Sequence, residues 1–274
     1  ADYRLPRGVS TTNGGAARPT RPQTRPRTYA IAMILIAGTI WAATEVGFKF
    51  STFWEVWSNP LWEKFWPIPW HWVLDGDNVV NPLIETLQIA IVSTIIGCGL
   101  ALPISFAMSS LTTPNRLTYL VSKAVMNVVR AVPDLFWGKL LVTAIGIGAF
   151  AGAWALSVFS LAIMVKLFSE TVDSADPKPL EAARSAGGRH TPVVRTGVLP
   201  SVFPAYVAYA LYVFELNIRA SVVLGLVGAG GIGRVIEAQR QFFRFDRVLG
   251  ILVIIFVVVW VIEQASVSLR KRLT

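Results

Sequence analysis

Cysteine and histidine are nearly absent from this chain. Its one cysteine, Cys98, lies inside an apolar run, and its two histidines, His71 and His190, stand far apart. A lone thiol builds no disulfide framework, and so few soft ligands hold no metal cluster. Charge is scarce as well, at 15% of residues against roughly 25% in soluble domains. No GxxxxGK[ST] run occurs, and with histidine this rare no nucleophile, base and orienting group can be assembled. Together these absences exclude ATP hydrolysis by this chain and leave no catalytic site to propose.

What is present is apolar. Hydrophobic residues make up 54% of the chain and the mean hydropathy is +0.56. Such values predict an all-α membrane protein with several transmembrane helices. A net charge of +9 raises nucleic acid as a partner. The basic residues mostly flank apolar runs, however, as orientation in a bilayer requires, so lipid is the expected surroundings and nucleic acid is not a partner.

Residues 1–28 carry six arginines (Arg4, Arg7, Arg18, Arg21, Arg25, Arg27) among Pro19, Pro22 and Pro26. An arm this polar buries no core and is expected to be disordered, with residues 29–274 forming the transmembrane domain. The first apolar run is Tyr29 to about Thr44, and the arginine-rich leader favours an uncleaved anchor over a signal peptide. Residues 51–80 then hold six tryptophans with three prolines, an aromatic belt expected at headgroup level on the outer face. A second span covers about Leu83 to Met108. The basic stretch with Arg116, Lys123 and Arg130 follows and reads as cytoplasmic. The apolar run Leu135–Phe168 is too long for one crossing, and parity predicts two short helices turning near Gly146, Gly148 and Gly152, with a re-entrant hairpin as the alternative. Spans from Pro200 to about Leu216 and from Val248 to about Val267 bring the total to about six.

Between the fourth and fifth spans lies the charged segment Asp173–Arg195. Asp176 reads as an N-cap, Pro177 as the first helical residue and Gly187-Gly188 as the stop, so a short exposed helix is predicted over about 176–188. Farther on, Glu215 and Arg219 stand four apart, the favourable order for an ion pair on one helix face. Ionisable groups in a span face the bundle interior or water, so Arg219 is a candidate for meeting a phosphorus oxyanion through its planar guanidinium. Pairing with Glu215 for purely structural reasons is the alternative, and Lys139 is a weaker candidate. Residues 219–247 carry five arginines on what parity makes the outer side, against the usual charge bias; they either attract an anionic substrate or an acidic partner surface, or pair locally or snorkel to outer headgroups. Gly228, Gly230 and Gly233 satisfy a dinucleotide fingerprint literally, yet no strand–helix–strand unit surrounds them and no acidic residue stands about 20 positions on. Non-helical backbone at membrane depth is the expected use of Gly228, Gly230 and Gly231, near the substrate pathway or as close packing.

The spacing Glu181-Ala182-Ala183, Gly187, Leu199-Pro200 resembles the EAA loop of ABC importer permeases, with Gly197 where that family usually has isoleucine. Phe168-Ser169-Glu170, the stretch Tyr212–Arg219 with its Glu215-x-Asn217-x-Arg219, the run Val223–Gly233 and the terminal Leu269–Leu273 are similar to the permease subunit of phosphonate ABC importers. This likeness covers roughly residues 80–274. It implies a type I ABC importer permease fold with a cytoplasmic coupling helix, in a bacterial inner membrane, multi-pass and with both termini cytoplasmic. It also implies a homodimer, two ABC ATPase subunits that hold ATP and Mg while this chain carries no cofactor, and an extracytoplasmic substrate-binding protein. Glu181, Ala182, Ala183, Gly187, Leu199 and Pro200 would couple to the ATPase, and Glu215, Asn217, Arg219 and the glycines would border the substrate pathway. The methionine-type importer permease and an ion-coupled secondary transporter are the rival readings.

Overall fold

The computed structural model describes residues 26–47 and 49–273. The basic arm expected over 1–28 therefore falls outside the described residues up to residue 25. The chain divides into two bodies, Ala1–Asn59 and Pro60–Thr274.

In the first body α1 spans Pro26–Glu45 and contains an apolar stretch, Thr28–Glu45, long enough to cross a bilayer. After it comes α2, Phe50–Trp57, a two-turn helix whose exposed Trp54 and Trp57 suit a lipid–water boundary.

The second body opens with a 3-10 turn over Pro60–Phe65 and a single helical turn, α3, Trp70–Val73. The main bundle follows: α4 (Asn81–Met108), α5 (Arg116–Ala131), α6 (Asp134–Ile145) and α7 (Ala149–Asp173). Two short helices, α8 (Lys178–Ser185) and α9 (His190–Gly197), lead into α10 (Leu199–Gly225), α11 (Gly231–Gln241) and α12 (Phe245–Leu273). Helices α4 and α7 run parallel and touch closely along their length. Ser93 donates to the Ala153 carbonyl at 3.0 Å, and a Cβ on Gly97 would come within 2.4 Å of the Ser160 Cβ. Small residues at 93, 97 and 101 make that approach possible, and in lipid such packing and the interhelical hydrogen bonds supply the attraction that water would otherwise provide. Helix α10 runs the opposite way. Its start packs with Phe168, Val172 and Val198 near the end of α7, and its far end meets the start of α4 and α7 through Leu224, Ile89 and Leu156.

Among the described residues five stretches are long and apolar enough to span. The remaining crossing is composite and corrects the sequence reading. Helix α5 begins beside the end of α4, where Ser122 donates to the Ala107 carbonyl at 3.3 Å, and α6 finishes at the opposite end of the bundle beside Gly228. Their 16 and 12 residues amount to about 24 and 18 Å, enough together for the roughly 30 Å hydrocarbon core although α6 alone is too short. The third crossing thus starts at Arg116 rather than Leu135, and the basic stretch 116–130 is its first half. The fourth, α7, is full length at 25 residues, with the turn at Gly146–Gly148 where it was expected. The fifth extends to Gly225, well past Leu216.

Candidate coupling helix and the polar centre of the bundle

Local chemistry closes α8 at both ends. Asp176 is not the N-cap, which is Pro177, because the helix starts at Lys178, one residue later than expected; from the position before the cap its Oδ1 accepts from the Lys178 N–H at 3.0 Å and satisfies one donor of the first turn. At the other end Gly187 adopts φ +80°, Gly188 N–H bonds to the Ala183 carbonyl at 3.2 Å, and Gly187 N–H bonds to the Arg184 carbonyl at 2.9 Å. This pair of bonds is the Schellman arrangement, which explains why glycine stands four residues after Ala183. Leu180, fully buried, anchors α8 among Val193, Val194, Val198 and Phe168. Glu181 and Ala182 face outward and Ala183 packs inward, so the motif presents its acid and one methyl on a rigid, exposed two-turn helix. Gly197, the departure from the family pattern, lies where α9 crosses α8: a Cβ there would sit 3.2 Å from the Leu180 Cα and the Pro179 oxygen. Leu199 and Pro200 form the first turn of α10, where the missing N–H of proline costs nothing.

The stem of this hairpin is tied to the bundle by Asp173. One carboxylate oxygen accepts from Ser109 Oγ at 2.6 Å, Ser110 N–H at 2.7 Å and Ser110 Oγ at 3.0 Å, joining the end of α7 to the α4–α5 turn. Nothing in the sequence singled out that link.

Gly228, Gly230 and Gly231 all take positive φ and carry the chain through a non-helical turn between α10 and α11. The turn is clasped by the starts of α4 and α7. Gly148 N–H donates to the Gly228 carbonyl at 3.0 Å, Ile232 N–H donates to Thr86 Oγ1 at 2.8 Å, and a Cβ on Gly230 would meet the Ala149 nitrogen at 2.7 Å. Non-helical backbone was expected here, and close packing is its visible role.

Glu215 and Arg219 do form the anticipated pair, with Oε1 and Nη2 2.5 Å apart. Helix α12 adds two partners that sequence reasoning missed: Arg270 reaches the other Glu215 oxygen at 3.2 Å, and Glu263 reaches Arg219 at 3.2 Å. The four charges cancel, which is how a buried carboxylate is tolerated between helices. Glu263 is an acidic residue inside the last apolar run, and that misplacement was the available signal. Asn217, on another face of α10, is buried and donates to Thr94 Oγ1 at 2.8 Å and Ser160 Oγ at 2.7 Å, tying α10 to α4 and α7. Its Oδ1 finds no partner among the described residues.

Most of the arginines of residues 219–247 pair locally. Arg234 lies 3.8 Å from Glu85, Arg247 sits over the Trp72 ring at 4.4 Å, and Arg240 bonds Glu237 at 2.6 Å. Hydrogen bonds from Arg240 and then Gln241 hold the Glu237 carboxyl well down, at about 2.

Residues 99–273 match the family described as binding-protein-dependent transport system inner membrane component. The chain belongs to that family. Among curated relatives, the phosphate-import permease protein PhnE of Mycolicibacterium smegmatis is 37% identical over 198 residues, covering 72% of this permease and 37% of that protein. The phosphite transport system permease protein PtxC of Stutzerimonas stutzeri is 37% identical over 193 residues, 70% of each chain. The permease therefore spans little over a third of the first relative's length and most of the second's. The methionine import permease MetP of Bacillus subtilis is more distant, 24% identical over 58% of this chain and 76% of its own. In architecture the permease is similar to a solved amino acid ABC transporter with histidines, with TM-score 0.59 and 25% identity over 70% of this chain and 92% of that one.

Proposed function

We propose that this permease is the membrane subunit of an ATP-driven importer for a phosphorus oxyanion, namely phosphonate, phosphite or phosphate. One observation carries the ligand class: the relatives at 37% identity are permeases for phosphate and phosphite, while the methionine permease falls to 24%. The protein would act as a homodimer above two ABC ATPase subunits, which hold ATP and Mg, and beneath an extracytoplasmic binding protein. It would sit in a bacterial inner membrane with both termini and α8 on the cytoplasmic side.

The geometry supports a mechanical role for α8. A helix closed at both ends and pinned by Leu180 moves as a unit, and Asp173 passes its displacement to the α4–α5 turn. Glu181 and Ala182 would meet the ATPase cleft, Ala183 and Gly187 would hold the helix rigid, and Leu199-Pro200 would start the lever of α10. Glu215, Asn217 and Arg219 would border the pathway as a clamp between α10 and its neighbours, with Gly228, Gly230 and Gly231 fixing its outer end. Ligand-loaded binding protein and ATP would each favour one of two arrangements of the pair, giving alternating access.

The test is ATP hydrolysis by the purified membrane complex in lipid with its binding protein, titrated with methylphosphonate, phosphite, phosphate and methionine. Stimulation by phosphorus oxyanions alone is expected. Stimulation by methionine alone would overturn the ligand class, and a preparation with which no ATPase travels would overturn the importer role.

A further inference from the structure

The break between α5 and α6 has an unusual electrostatic setting. Proline at 133 has no N–H to give the Val129 carbonyl, and Val132 before it is extended at ψ 123°, so the crossing stops being helical there. Trp137 patches the freed carbonyl, its indole N–H donating to Val129 O at 3.4 Å. The break lies against Phe159, Ala162 and Ile163, midway along α7 and so at mid-depth in the bundle. A cavity of about 300 Å³ opens at this point, lined by Arg130, Asp134, Trp137, Phe159 and Ile163 among others. That is room for roughly ten waters.

Arg130 and Arg219 both stand inside crossings, and they are treated oppositely. Arg219 is engaged by Glu215 and Glu263. Arg130 is exposed and has no ion pair or side-chain hydrogen bond among the described residues. Asp134, four residues on and lining the same cavity, accepts among the described residues from the adjacent Leu135 N–H at 2.8 Å and makes no ion pair with Arg130. An uncompensated guanidinium at mid-depth is costly unless it faces water or a ligand. Arg116 and Lys123 precede it at seven-residue intervals, so three cations share one face of α5 about 10.5 Å apart. The file leads from the α8 end of the bundle to the cavity. There α6 begins, and the positive end of a half-helix at a membrane break favours an anion.

We propose that the α5–α6 break is a binding station for the transported phosphorus oxyanion, with Arg130 as its anchor and Lys123 and Arg116 as the next cations toward the α8 end. The inference rests on the oxyanion reading above. Arg130 supplies a positive charge and an N–H donor to the tetrahedral oxygens, and Asp134 limits how tightly a dianion is held, so that it leaves again.

The experiment uses the whole complex in proteoliposomes with its binding protein, following uptake of radiolabelled phosphate and methylphosphonate. Arg130→Gln is expected to lower the maximal uptake rate at least about tenfold, the scale of one lost charge-assisted contact. The half-saturating concentration should stay that of the binding protein, so the loss falls on the rate. Arg130→Lys should keep most of the rate, and Asp134→Asn should match or exceed the unmodified protein because it removes a repulsive charge. Uptake by Arg130→Gln within about twofold of the unmodified protein would overturn the proposal. A parallel fall in Arg130→Gln and Asp134→Asn would also do so, since a structural pair moves both the same way. Should Arg130→Gln fail to assemble, equal loss in the assembled Arg130→Lys complex would refute it and retention would support it. An unmodified complex that imports neither phosphorus compound while importing another solute would instead sink the oxyanion reading, and this inference with it.

Discussion

Glu215 is the residue on which the interhelical charges converge. It is buried and answers two arginines, whereas Arg219 answers two carboxylates. The two ends of the motif should therefore respond differently to truncation. Glu215→Ala removes the carboxylate that Arg219 and Arg270 share and is expected to cost about 2 kcal/mol, below the 3–5 of a fully buried pair because both arginines reach the surface. Arg219→Ala leaves Glu215 paired with Arg270 and should cost about 1 kcal/mol or less. Melting temperatures of the purified complex compare them, and equal losses would refute the shared-partner account. Gly197 makes a second residue-scale case. Gly197→Ile restores the residue common in the family, yet here it places a side chain against Leu180 and Pro179, an overpacking of about 1–3 kcal/mol. The expected phenotype is an assembled complex whose ATP hydrolysis no longer answers the loaded binding protein. Normal stimulation would show that α8 yields at that point.

Among the elements, the α8–α9 hairpin and the α4–α5 turn behave as one part through Asp173. Asp173→Asn keeps one acceptor but loses the charge that four donors share, so about 1–2 kcal/mol of the link should go. Uptake should fall more than basal ATP hydrolysis in that variant, and a proportional fall in both would contradict a transmitting role. On the other side of the bundle α11 carries the Glu237–Arg240 pair. Because the folded carboxyl titrates at about 2, below its ordinary range, its contribution is complete above that range and is lost as the pH falls through about 2. Protection of the α11 amides from hydrogen exchange should therefore depend on Glu237 at pH 6 and cease to depend on it below pH 2, with Glu237→Gln as the comparison.

Residues 60–274 form a bundle whose two ends are chemically distinct. One gathers Asp173, the α8–α9 hairpin and the α4–α5 turn; the other gathers the glycine turn and α11. Cys98 is the one cysteine and is buried, so introduced cysteines report sidedness cleanly. Thr113→Cys and Ser185→Cys should react with an impermeant thiol reagent only from the cytoplasmic side, and Gln239→Cys only from the opposite side. Labelling of all three from one side would break the crossing count.

Much of this was legible locally. Apolar runs located α1, α4, α7, α10 and α12, because a bilayer demands length and hydropathy that few other contexts share. Asp176 and Gly187 marked α8, since the bonds that close a helix end depend on neighbours within a turn. The pairing of Glu215 with Arg219 also followed from spacing alone.

Tertiary structure decided the rest, because the deciding partners are remote in sequence. Residues 116–130 read as a basic loop from their charge, and only their position along α4 and α7 makes them half of a crossing and leaves Arg130 at mid-depth. Asn217 bonds Thr94 across 123 positions, Glu215 meets Arg270 across 55, and Asp173 meets Ser109 across 64. Composition and periodicity determine that a helix forms and that it lies in lipid. Which polar groups in it find partners, and which stay open to an anion, depends on how the helices are laid side by side.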